Sequence, residues 1–163
     1  MHRSATGLLA AAARRLSSSS SLRSPLDLLN VIAPEGATSR GIKMSVDAYN
    51  ADGFSVNGVH LHGDVLVFTH AALLWKPASQ AITPASLAIL PAVTPPIDVM
   101  LFGTGDRIVY LPDNVGEFLR SHHIKYEVMS SFHASATFNV LNAEDRQVAC
   151  LLLRVADTPD TAS

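Results

Sequence analysis

From Met44 to Val155 the chain alternates short apolar runs with polar turn residues, and the period of each run predicts its element. Ser45–Tyr49, Phe54–Val56 and Val59–Leu61 are β-prone segments separated by Asn50-Ala51-Asp52-Gly53 and by Asn57-Gly58. An Asn-Gly pair between apolar flanks predicts a tight hairpin, because both turn residues must take positive φ. Asp64–Phe68 and a short segment over Leu73–Lys76 extend the series into an antiparallel β meander. Thr83-Pro84 then predicts a connector helix with threonine as N-cap and proline in the first turn, ended by Pro91.

The second half has a different rhythm. Strands over Ile97–Phe102, Tyr126–Met129 and Val148–Val155 alternate with helices near Asn114–His122 and Phe132–Leu141. Such alternation predicts crossover units and a largely parallel arrangement in this half. Val115, Phe118 and Leu119 form one apolar stripe on the first helix, and Asn114 with Glu117 three residues on predicts a capping box. Phe54 and Trp75 are expected in the core. The fold expectation is therefore one α/β domain over residues 44–156, a β meander followed by strand-helix-strand-helix-strand, with a disordered tail over residues 157–163.

Charge divides the chain. Residues 1–43 hold six basic side chains against Asp27 and Glu35, net +4, while the remainder holds six basic and twelve acidic, net −6. The acidic body argues against a nucleic-acid footprint. Met1–Ser24 is free of acids, carries Arg3, Arg14, Arg15 and Arg23, and contains the serine run Ser17–Ser21. That is the composition of an organellar transit peptide, and its arginines favour a mitochondrial one. Leu8–Ala13 is too short to span a bilayer. Leu26–Gly41, with Pro34, Gly36 and Gly41 and no sustained period, reads as a linker. A single cysteine, Cys150, cannot form a disulfide within its own chain, and inside the run Val148–Val155 it reads as a small core residue.

The apolar run Ile97–Phe102 breaks into Gly103-Thr104-Gly105-Asp106-Arg107, a glycine-rich loop delivered by a strand. A dinucleotide fingerprint would need a third glycine three residues after Gly105, where Ile108 stands, so a tight turn explains the pattern better. Asp106 and Arg107 on such a turn offer a polar contact point for another protein, or pair locally to serve the turn itself. His60 and His62 share one face of a strand and His70 lies one turn on, yet these ligands are too few for a metal to be expected. His133 with Ser131, Ser135 and Asp106 lacks a nucleophile elbow or oxyanion hole, so no catalytic residue is expected. No cofactor is expected either.

Three motifs in register carry a more specific signal: M-S-V-D-A-Y-N-A-D-G-F-S-V-N-G-V at Met44–Val59, L-F-G-T-G-D-R at Leu101–Arg107, and A-T-F-N at Ala136–Asn139. Their order and spacing resemble a family of small domains found in bacteria, archaea and mitochondria. Its mitochondrial member assists assembly of respiratory complex I, the NADH:ubiquinone oxidoreductase. The resemblance implies a three-layer architecture with a mixed central sheet and no established chemistry. It further implies a matrix protein at the inner membrane, acting with a second assembly factor on quinone-module subunits. His60-Leu61-His62 departs from the family pattern.

The function expected on this basis is a non-enzymatic assembly factor. Gly103, Thr104, Gly105, Asp106 and Arg107, with Thr137 and Asn139 opposite them, are the expected partner-binding residues. Two alternatives remain open at this level: a small-molecule-binding domain or enzyme using the same loop, and a permanent accessory subunit of the complex.

Overall fold

The computed structural model describes residues 41–79 and 81–155. The expected leader, most of the linker and the expected tail lie outside the described residues. Among the described residues, eight strands and two α-helices follow in chain order: β1 (Val46–Asn50), β2 (Gly53–Val56), β3 (Val59–His62), β4 (Val65–Phe68), β5 (Ala72–Leu74), β6 (Val99–Thr104), α1 (Asp113–Ser121), β7 (Lys125–Met129), α2 (Ser131–Ala143) and β8 (Val148–Leu153).

The strands form two sheets. β1, β2 and β3 make an antiparallel sheet in that order, and the second runs β5-β4-β8-β6-β7. β8, β6 and β7 are parallel, while β4 runs antiparallel to both β5 and β8, so the central sheet is mixed as expected. The Asn57-Gly58 hairpin is present: φ is 49° and 76°, and Val56 faces Val59.

The single meander expected from the first half is corrected by the pairing of β4 and β5 with the central sheet. The reason lies in which faces are apolar. β4 buries Val65 and Val67 on one side and Leu66 on the other, a strand that needs cover on both faces. β3 buries Leu61 and exposes His60 and His62, a strand with one face in water.

Two apolar cores flank the central sheet, and alternate residues feed each. Val65, Val67, Leu101, Cys150 and Leu152 meet Phe54, Val56, Ala134 and Phe138 beneath the small sheet and α2. Leu66, Met100, Phe102, Ala149 and Leu151 meet Leu87, Leu90, Val115 and Leu119 beneath α1 and the connector. The result is three layers, with Phe54 and Trp75 buried.

Two local expectations are corrected. The connector is a pair of 3-10 turns, Ala85–Leu87 and Leu90–Ala92, and Pro91 sits inside the second rather than ending a helix. The N-cap of the first turn is Pro84 rather than Thr83; Thr83, one residue earlier, bonds reciprocally with Ser86, its N–H reaching Ser86 Oγ at 2.9 Å and its Oγ1 accepting from Ser86 N at 3.2 Å. Helix α1 starts at Asp113 with Pro112 as N-cap and no side-chain cap, so Asn114 lies within the first turn and forms no capping box with Glu117. Pro112 accepts from Val115 and Gly116 through its carbonyl, and Asp113 places a carboxylate at the positive end of the helix.

Candidate functional site

The loop after β6 emerges where the strand order reverses, because β7 and β8 lie on opposite sides of β6. Its two glycines do different work. Gly103 is a packing residue: a Cβ there would lie 2.8 Å from both Leu152 Cδ2 and the Ser131 backbone Cα, and 3.0 Å from Ala134 Cβ. Its absence lets α2 lie against the strand. Gly105 turns the chain at φ +84°, a conformation that residues with a Cβ rarely adopt.

Polar groups around this turn satisfy one another. Thr104 Oγ1 donates to the Arg107 carbonyl at 2.7 Å and accepts from Val109 N at 3.0 Å. Ser131, the first residue of α2, donates its N–H to Gly105 O at 2.8 Å and accepts from Gly105 N through Oγ at 2.9 Å. The same hydroxyl donates to Leu153 O at 2.6 Å, fastening the loop to β8. The Gly105 N–H is therefore already committed, which removes a donor that a phosphate cradle would require.

What points outward is different in kind. Asp106 and Arg107 are exposed, and among the described residues neither forms a salt bridge. Ile108, Val109 and Tyr110 follow at 57%, 59% and 87% exposure. Phe132, next to Ser131, is also exposed, and its ring centroid lies 6.4 Å from that of Tyr49. Exposed aromatic and branched side chains beside a carboxylate and a guanidinium suit recognition of a protein surface.

Thr137 and Asn139 are not brought to this loop. Thr137 is half-buried along α2. Asn139 stands two turns beyond Ser131 and clamps β1, accepting from Val46 N and donating to Val46 O, each at 2.9 Å. It lines a groove of about 480 Å³ between β1 and α2 together with Tyr49, Phe132 and Ala136. A second, apolar cavity of about 330 Å³ lies at the opposite end of the central sheet, among Phe68, His70, Ile97 and Val148.

His133 and the serines on either side of it serve α2. Ser130 is the N-cap of α2, with Oγ 2.8 Å from His133 Nδ1, and Ser135 Oγ donates to Ser131 O at 2.8 Å. Cys150 is fully buried with Sγ 3.8 Å from Ala134 O, and burial pushes its thiol pKa up, away from the reactive thiolate. Sequence reasoning had missed Ile108, Val109, Tyr110 and Phe132 as outward-facing groups. For the first three the signal available was the apolar run Ile108-Val109-Tyr110-Leu111 between Arg107 and Pro112, which belongs to no strand or helix.

Residues 46–153 match the family described as "Protein of unknown function (DUF498/DUF598)". A Drosophila melanogaster protein named NADH dehydrogenase (ubiquinone) 1 alpha subcomplex assembly factor 3 is 36% identical over 120 residues, covering 71% of this chain and 61% of its own length. A Homo sapiens protein of the same name is 34% identical over 111 residues, covering 68% of this chain and 60% of its own. The chain thus spans about three fifths of the length of these curated relatives. Among solved structures, one described as an outer membrane protein from Bartonella henselae superposes with a TM-score of 0.64 at 30% identity, covering 69% of this chain and 96% of that one. A Bordetella pertussis structure described as a Mth938-like domain, TM-score 0.57 and 23% identity over 71% of this chain and 89% of that one, shares the fold.

Proposed function

The chain belongs to the DUF498/DUF598 family of proteins of unknown function, and from that premise we propose that it is a non-enzymatic assembly factor for mitochondrial respiratory complex I. Relatives named as assembly factors of NADH dehydrogenase support this reading. So does one observation: the loop after β6 has its key donors bonded internally and turns Ile108, Val109 and Tyr110 to solvent. Such a face buries apolar area against another polypeptide, and each large side chain covered contributes about 1.5–3 kcal/mol before the costs of association.

The mechanism is steric and energetic. The protein covers apolar surface on quinone-module subunits that have not yet docked, which suppresses wrong association, and departs as native neighbours arrive. It acts with a second assembly factor in the mitochondrial matrix, at the inner-membrane face, behind an arginine-rich leader. Asp106 and Arg107 set the orientation of docking.

Loss of the chain is expected to reduce mature complex I while sparing the other respiratory complexes; equal loss of all of them would overturn the proposal. Purified mature complex I should lack the chain, whereas a stoichiometric copy would make it a permanent subunit.

A further inference from the structure

The outer face of the small sheet carries a side-chain cluster unrelated to the loop after β6. We propose that Asp52, His60 and His62 bind one divalent transition-metal ion of the zinc class. Their ligand atoms all lie within 4.8 Å of one another.

Backbone geometry builds the cluster. Leu61 is buried at 6% exposure and anchors β3, so the period of two turns His60 and His62 together towards solvent. Their rings stand 4.6 Å apart, centroid to centroid, at 83°. Strand register places His62 opposite Gly53, which brings the preceding residue, Asp52, alongside, with Oδ2 3.2 Å from His62 Nδ1. The turn carrying Asp52 is itself held, because Asn50 Oδ1 accepts from the N–H of both Asp52 and Gly53 at 2.9 Å.

Gly53 permits this approach. A Cβ there would lie 1.9 Å from Leu61 O, so any other residue would push the turn away from β3. His70, the third histidine suggested by the sequence, instead faces Ile42 O at 3.3 Å. The ligand that completes the set is a carboxylate contributed through strand pairing.

The chemistry of the donors selects the ion. Zinc bonds of about 2.0–2.2 Å to nitrogen and oxygen set tetrahedral donors about 3.3–3.5 Å apart. The Asp52–His62 pair, at 3.2 Å, is close to that spacing, and His60 closes by rotation of an exposed side chain. Two imidazoles with one carboxylate favour zinc, nickel, cobalt or copper over the hard calcium and magnesium ions. Solvent supplies the remaining coordination. A bound ion ties the Ala51-Asp52 turn to β3, stapling all three strands of the small sheet.

The test is zinc titration of the full chain, without a histidine tag, in competition with a chromophoric chelator, alongside thermal melts with and without zinc. The expected result is one equivalent bound per chain, undiminished by excess calcium or magnesium, with a raised melting temperature. His60→Ala and His62→Ala should each weaken binding at least tenfold and Asp52→Asn several-fold, with the metal-free melting temperature unchanged because all three side chains are exposed. The proposal is overturned if the His60→Ala/His62→Ala double variant binds zinc as the parent does, if the parent binds none, or if His122→Ala/His123→Ala abolishes binding instead.

Discussion

The two faces of the central sheet are closed by different means. Beneath α1 and the connector, cover is a matter of volume: Leu87, Leu90, Val115 and Leu119 rest on Met100, Phe102 and Leu151, and the polar bonds nearby are local, such as Trp75 Nε1 to Ser86 O at 3.4 Å. Beneath the small sheet and α2, directional bonds cross 93 to 99 residues of sequence: Asn139 to Val46, Asn142 Nδ2 to Met44 O at 2.8 Å, and Lys43 Nζ to Asn142 O at 2.7 Å. A face closed by volume tolerates repacking, whereas one closed by side-chain amides fixes where its partner strand must lie.

Truncation of the aromatic anchors, Phe102→Ala on one face and Phe138→Ala on the other, should cost similar amounts, about 3–5 kcal/mol each by chemical denaturation. Both rings are fully buried, so a large inequality would show that the two cores differ in packing as well as in bonding. Gly103→Ala should cost about 1–3 kcal/mol through overpacking, since part of what its methyl group meets is backbone. Gly58→Ala makes a sharper control, because open space surrounds it and only its φ of +76° resists substitution.

The polar side is tested by Asn139→Ala, expected to cost about 1–2 kcal/mol and to speed hydrogen exchange at the Val46 amide. A matching destabilisation without faster exchange at Val46 would separate the clamp from general packing loss. The smallest effect on stability, within about 0.5 kcal/mol, is expected for Tyr110→Ser combined with Ile108→Ser. That double variant should nevertheless lose complex I assembly in cells lacking the parent protein, measured by native gel.

Much of this arrangement was legible beforehand. Short continuous apolar runs located β4, β6 and β8 to within two residues or so, and Asn57-Gly58 fixed one hairpin, because both signals are local. The contrast between the unbroken apolar run of β4 and the alternation of β3 was the signal for two different sheets, but strands of three or four residues do not encode which neighbour each pairs with. Helix α1 was located within one residue, but its N-cap at Pro112 was missed because a proline N-cap leaves no side-chain signature. At the candidate site, the Gly103–Arg107 turn was visible as a motif. Its closure by Ser131 and the retreat of Asn139 into a structural clamp depend on where α2 falls, about 26 residues downstream of Gly105. Asp52 joined His60 and His62 only through strand register, which no spacing rule supplied.

The Asn139 clamp has a consequence beyond stability. Its carboxamide offers Val46 one acceptor and one donor, the pair a neighbouring strand's peptide group would supply, so a helix side chain imitates the next rung of a ladder. The outermost strand of the small sheet is thereby blunted at Val46, where a second molecule would otherwise extend the sheet by backbone pairing. The same amide that anchors the first strand thus also protects that edge from self-aggregation.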